Sequence, residues 1–365
     1  MKRKILIALS AVGPGLFLIG YNIGTGSITT MAKAGANYGM TLFWALILSA
    51  IFTYILMIAY GQVTLVTGKT ALYNIRKNFL IGPVLSIYIL VALITGELLA
   101  VMGVMGIVVD LIKEGIRLMG WGSADAFRIT VILVIGLYAL LWFGKYKIFE
   151  KILTFFVILM GLCFILVFFL VKPDFGAIAR GMIPSIPQEK GALQLIAAMA
   201  GTTCSAAVFI VRSTVVVEKG WTINNLKDEK KDAFVSSTMM LLLSGIIMAV
   251  SAGTLFVMDL SLDTTVEMIQ LFEPLGGKVA AFILILGIVG AGLSTVFPII
   301  LIAPWLISDI AGKPRDIKSP MFRILGGIGL LFGFGLIFIE KTPPAMMIFS
   351  QAFQAMILPA VAIPI

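Results

Sequence analysis

Gly24-Thr25-Gly26-Ser27 and Gly201-Thr202-Thr203-Cys204-Ser205 each interrupt an apolar run long enough to cross a bilayer. They fall at similar places in the two halves of the chain. At such a break the backbone N–H and C=O groups leave the helical ladder, and burial against lipid would leave them unsatisfied. They persist where they line a cavity and can bind something. Paired, Gly-rich or polar breaks in matching spans are the sequence mark of a midplane site in a secondary transporter.

The surrounding composition fits that reading. Of 365 residues, 60% are apolar and 12% charged, about half the charged share of a soluble domain. The chain reads as an all-α polytopic membrane protein. The net charge of +9 is not a nucleic-acid signal, because Lys and Arg sit in loops, where they set orientation. Histidine is absent, which removes the commonest proton-relay group and a common metal ligand. Cys163 and Cys204 both fall in apolar spans, so no disulfide framework is expected. The start, Met1-Lys2-Arg3-Lys4, resembles a signal-peptide n-region. No small-residue cleavage site closes the next stretch, so it reads as a retained first span.

A spanning helix needs about 20 apolar residues. Ten candidates occur, near 8–35, 39–66, 81–112, 128–144, 150–171, 192–217, 234–257, 277–308, 321–339 and 344–365. Of the 27 Lys and Arg, 17 fall on one set of alternate loops and termini and 9 on the other, with Arg212 inside a span. That bias places both termini in the cytoplasm, in a prokaryotic plasma membrane. Five spans precede the loop 173–191 and five follow it. An odd number per half makes the second half start on the opposite face. Residues 1–172 and 192–365 are therefore expected to be inverted repeats, with spans one and six equivalent and their breaks meeting mid-membrane. The chain closes in an apolar run, Val361–Ile365, and an eleventh span is expected to follow.

The sequence resembles the NRAMP (natural resistance-associated macrophage protein) divalent-metal transporters. The likeness is carried by Gly13-Pro14-Gly15, Ala34-Gly35-Ala36-Asn37-Tyr38-Gly39, Val66-Thr67-Gly68-Lys69, Lys172-Pro173-Asp174-Phe175, Gly181-Met182-Ile183-Pro184-Ser185-Ile186-Pro187, Ser350-Gln351 and Leu358-Pro359, in order. It implies the five-plus-five, LeuT-type fold. The family's binding motifs do not follow. Its Asp-Pro-Gly-Asn corresponds to Gly24, Thr25, Gly26 and Ser27, and its Met-Pro-His-Asn to Ser205, Ala206, Ala207 and Val208. A family Gln in span ten falls on Ile357. An Asp-x-x-Glu pair falls on Glu97 and Ala100, and a second His on Arg212.

The expected substrate-binding set is Gly24, Thr25, Gly26, Ser27, Thr202, Thr203, Cys204 and Ser205. Glu97 and Arg212 are the coupling or gating residues. Small residues and hydroxyls also serve close helix packing, so it is their paired placement that argues for a site. Cys204 is either an acidified thiol at a half-helix N-terminus or a small packing residue, the second being preferred. Glu97, deep in span three, reads as a proton- or cation-coupling acid, against a protonated acid bonded to a neighbouring helix. Arg212 can pair with Glu97, gate the cavity or bind an anion, the pair being preferred. Glu150 and Asp232 read as interfacial, and Lys227–Asp232 as a solvated helix start.

A dehydrated divalent ion wants anionic or soft ligands. Hydroxyls facing two positive half-helix ends suit a neutral, zwitterionic or anionic solute better. A hydrated cation held by oxygens alone is the alternative, and a non-transporting membrane receptor the third. The expected partners are a small solute or ion and the lipid bilayer, with no nucleic acid and no cofactor. Nothing resembles a zinc-protease or phosphate-loop motif, so enzymatic function is not expected.

Overall fold

The computed structural model describes residues 24–143, 146–311 and 315–364. The first half of span one, with Gly13-Pro14-Gly15, and the side chain of Glu150 lie outside the described residues. The described elements are helical throughout. They are α1 (Thr25–Tyr38), α2 (Phe43–Thr67), α3 (Ala71–Asn78), α4 (Gly82–Leu118), α5 (Ala126–Phe143), α6 (Tyr146–Val171), α7 (Phe175–Arg180), α8 (Ala192–Thr203), α9 (Ala206–Glu218), α10 (Leu226–Ser251), α11 (Gly277–Ala311), α12 (Pro320–Leu331), α13 (Gly335–Phe338) and α14 (Pro343–Ala362). Among the described residues, eight helical stretches are long and apolar enough to cross a membrane, α8 and α9 forming one of them together; they correspond to expected spans two to four and six to ten, while expected span five is represented by the shorter apolar helix Phe155–Val171 and span one is described only from Gly24 onward.

Local signals set the ends. Gly68 closes α2 in a left-handed conformation, its N–H on the Thr64 carbonyl at 2.8 Å, where a side chain would be strained. Prolines open α4, α12 and α14, where the missing N–H would have had no helical partner. Asp174 caps α7 by accepting from the Gly176 N–H at 2.7 Å.

Around the centre, α14 packs on α4 and α8, α11 on α4 and α6, and α10 on α1 and α2. Without a hydrophobic drive between helices in lipid, close backbone approach and interhelical hydrogen bonds hold such a bundle. Gly201 shows this directly: a Cβ there would collide with the backbone carbonyl of Gln351 on α14. A second apolar cluster joins α9 to α2, with Tyr60 and Phe209 stacked at 5.7 Å. The Tyr60 hydroxyl donates to the Val361 carbonyl of α14 at 2.6 Å.

Two polar clamps hold the half-helices at their far ends. Lys33 of α1 reaches Asp263 in the loop after α10 at 2.9 Å, and the Leu262 N–H meets Asn37 Oδ1 at 3.5 Å. At the end of α9, Arg315 bonds Glu218 at 2.9 Å, the Thr214 hydroxyl at 3.0 Å, and Asp309 of α11.

Candidate functional site

The sixth span is broken as expected. α8 ends at Thr203 and α9 starts at Ala206, with Cys204 (φ −105°, ψ 55°) and Ser205 (φ −72°, ψ 129°) out of helical geometry between them. The freed Thr203 carbonyl accepts the Thr53 hydroxyl of α2 at 2.9 Å. The Ser205 hydroxyl donates to Gln354 Oε1 at 2.9 Å. In span one the helix begins at Thr25, capped by Gly24 in an extended conformation. The two breaks touch: Ser27 Oγ and Thr202 Oγ1 lie 2.9 Å apart, 175 residues apart in sequence.

Around this contact is one cavity, lined by Gly24, Gly26, Ser27, Glu97, Ala100, Thr202, Ser205, Thr295, Ile299, Met347, Gln351 and Gln354. The space open to water-molecule centres is about 30 Å³, room for about two or three waters. Its polar lining is a connected network. Gln354 donates to Glu97 Oε1 at 3.2 Å and accepts from Ser205, joining α4, α14 and the break. The N-termini of α1 and α9, which carry a partial positive charge, lie beside this region through Gly24, Gly26 and Ser205. Among the described residues, no three His, Cys, Asp or Glu converge to hold a metal ion.

Six of the ten residues expected from sequence line this cavity: Gly24, Gly26, Ser27, Thr202, Ser205 and Glu97. Four do not. The Thr25 hydroxyl is buried, has no hydrogen-bond partner among the described residues and faces Gly292 of α11. The Thr203 side chain is buried away from the opening, and Cys204 belongs to the apolar cluster on α2. Arg212 does not meet Glu97. It turns to α10 and pairs with Glu229 at 2.8 Å and Asp232 at 3.0 Å, all three side chains fully buried. Asp232 is therefore not interfacial. The tract Lys227–Asp232 is only half solvated: Lys227, Lys230 and Lys231 are exposed, whereas Glu229 and Asp232, three residues apart, face inward. Sequence reasoning missed Thr295, Met347, Gln351 and Gln354 as cavity residues. The two glutamines, three apart in an apolar span, share a helix face and were the available signal.

A sequence profile for the family described as natural resistance-associated macrophage protein-like (Nramp) matches residues 15–365. The chain belongs to the Nramp family. Among curated Nramp relatives, the divalent metal cation transporter MntH of Pectobacterium carotovorum is 25% identical over 294 residues, 79% of this chain and 69% of that protein. MntH of Staphylococcus aureus is 24% identical over 386 residues, 98% of this chain and 82% of the relative. Among solved structures, a variant of the Eremococcus coleocola manganese transporter matches with a TM-score of 0.71 at 15% identity, over 98% of this chain and 78% of that one. Mhp1, a nucleobase-cation-symport-1 family transporter, matches with a TM-score of 0.64 at 13% identity, over 92% and 74%. These last two are likenesses of fold. They agree with the five-plus-five, LeuT-type fold that the family resemblance implies, and the protein is an integral membrane protein of this transporter family.

Proposed function

We propose that this chain is a secondary-active transporter of the plasma membrane, with its N-terminus in the cytoplasm, whose site is remodelled away from the chemistry that holds Mn- or Fe-like ions. Residues 1–172 and 192–365 are taken as the two repeats, and alternating access as their rocking about the two breaks. The relatives named MntH move divalent metal cations, and this chain is read as a transporter on that kinship rather than as an enzyme.

The observation that carries the remodelling is the lining itself. Where the resemblance places an Asp, an Asn, a Met and a His, the chain has Gly24, Ser27, Ser205 and Ala207. The cavity retains one acid, Glu97, among hydroxyls, two carboxamides and the thioether of Met347. One carboxylate offsets little of the cost of stripping a divalent ion of its water. Such a lining suits a cation that keeps part of its hydration shell and is held by Ser27, Thr202, Ser205, Thr295 and Gln351 oxygens, with Glu97 supplying the compensating charge. The narrowness of the cavity supports this over an organic solute, which calls for a few hundred Å³.

Calorimetry and proteoliposome uptake with Mg²⁺, Ca²⁺ and Mn²⁺ test the reading. We expect Mg²⁺ or Ca²⁺ to bind at least as well as Mn²⁺ and binding to fall at least tenfold in Glu97→Gln. Saturable Mn²⁺ uptake that neither Mg²⁺ nor Ca²⁺ competes would overturn it. Silence with all three would move the argument to a small neutral or zwitterionic solute.

A further inference from the structure

The last two turns of α4 carry a face that helix packing does not explain. Asp110, Lys113, Glu114 and Arg117 stand at i, i+3, i+4 and i+7, on one side of the helix. Inside a bundle such a side is apolar. Here it borders a second cavity, whose other walls are the turn 120–124 and Val266 in the connection from α10 to α11. This cavity lies at the same end of the bundle as the Lys33–Asp263 clamp, because Thr265, two residues past Asp263, donates its buried hydroxyl to Asp110 Oδ2 at 3.2 Å. The space open to water-molecule centres is about 510 Å³, against about 30 Å³ at the breaks, and so admits a small organic solute.

Two acids and two bases line this cavity. Arg117 donates to Glu114 Oε1 through Nε at 3.2 Å and through Nη2 at 2.7 Å. Asp110 gives one oxygen to Thr265. That leaves Asp110 Oδ1, Glu114 Oε2, Arg117 Nη1 and the whole Lys113 ammonium without a hydrogen bond among the described residues. Lys113 makes no ion pair there and acts on Asp110 through its field alone. Bases at a helix C-terminus satisfy the helix dipole, but acids at the same end oppose it, so the dipole accounts for only half of the set. The chain turns aside directly after the helix. The N–H groups of Gly120 and Trp121 take the Arg117 and Ile116 carbonyls at 3.0 and 3.1 Å. A Cβ on Gly120 or Gly122 would touch nothing, so the rim is open.

We propose that this second cavity binds a small zwitterion, a primary ammonium joined through a short carbon link to a carboxylate or phosphate. Asp110 and Glu114 form one row of the helix surface and Lys113 and Arg117 the next. The ammonium goes to the free oxygens of the first row and the anionic group to the free N–H groups of the second. A bare cation or anion gains little, since each meets a like charge about one turn away. A solute that carries both signs pairs with both, through charge-assisted hydrogen bonds. Free amino acids and the phosphoethanolamine headgroup of a lipid share this chemistry. The site is separate from the central cavity and does not depend on the cation reading proposed for it. With the N-terminus in the cytoplasm, as proposed above, it opens outside the cell.

Calorimetry on the purified full-length protein, in nanodiscs of phosphatidylcholine, whose headgroup has no N–H, tests this. Glycine and O-phosphoethanolamine should each bind about tenfold more tightly than ethanolamine, acetate or inorganic phosphate. Lys113→Met and Asp110→Asn should each weaken both zwitterions about tenfold. Glu97→Gln should leave them unchanged, which separates this cavity from the central one even where no metal ion binds there. Nanodiscs doped with phosphatidylethanolamine tell the two sources apart: competition with glycine assigns the site to the headgroup, and its absence assigns the site to a free solute. No heat with either zwitterion, ethanolamine or phosphate binding as tightly as they do, or a Lys113→Met variant that elutes and binds as wild type does, would overturn the proposal.

Discussion

Gly24 stands where the family resemblance places a metal-binding Asp, so restoring that Asp is the natural perturbation. The structure predicts that the single change fails. A Cβ at Gly24 would collide with Thr295 Oγ1 and lie 3.1 Å from Thr295 Cγ2. Overpacking of this kind costs about 1–3 kcal/mol. The backbone at Gly24 is extended, so an Asp there is sterically allowed and would cap α1, adding about 0.3–1 kcal/mol through the helix N-terminus. The net effect of Gly24→Asp is a loss of roughly 0–3 kcal/mol. Thr295→Ala removes both colliding atoms. Alone it should cost about 1 kcal/mol or less, since among the described residues the Thr295 hydroxyl bonds only to the Ala291 carbonyl of its own helix, at 2.6 Å. Together the two changes should restore stability, with a favourable coupling of about 1–2 kcal/mol. Thermal melts of wild type, both single variants and the pair, in one detergent, measure that coupling. Additivity within about 0.5 kcal/mol would show that Thr295 does not occupy the space of the missing side chain.

Three further outcomes are expected. Ser27→Ala and Thr202→Val each remove the hydrogen bond between the two breaks, so each should cost about 1 kcal/mol and the pair little more than either; a melting series in which the losses simply add would count against that bond. Gly201→Ala should destabilise by about 1–3 kcal/mol, despite the better helix propensity of Ala, because the Gln351 backbone carbonyl cannot rotate away; an unchanged melting temperature would refute it. Asp263 is held below its ordinary pKa near 3.8 by the Ser261 hydroxyl and then by the Lys33 ammonium. Because the folded value is depressed, this stabilisation is complete above the unfolded value and is lost as pH falls through the folded one. The melting-temperature gap between wild type and Asp263→Asn should hold from pH 7 to 5 and close only below about pH 4; closure near neutrality would contradict the assignment.

The spans and their order were legible because length and apolarity dictate them. The sixth break was legible because Gly201 to Ser205 is a run of small and polar residues in an apolar stretch. What faces what was not. In a helix apolar all round, hydropathy does not distinguish the lipid face from the core face, so Met347, Thr295 and Gln354 gave no directional signal. The same blindness misassigned Arg212. Glu97 was the acid visible in a span, whereas Glu229 and Asp232 sat in a charge-rich run that looked solvated. Only the three-residue spacing of those two acids, against the outward-facing lysines, sets them on one side of α10.

The clamps at the far ends of α1 and α9 have a further consequence. In an inverted fold these ends lie at opposite membrane faces, and here both are fastened, Lys33 to Asp263 and Arg315 to Glu218 and Asp309. On the alternating-access reading proposed above, each clamp would act as the latch of one side. Undoing one latch should then favour opening on one side, and undoing both at once, as in Lys33→Ala with Arg315→Ala, should turn the proposed coupled transport into a passive leak down the gradient.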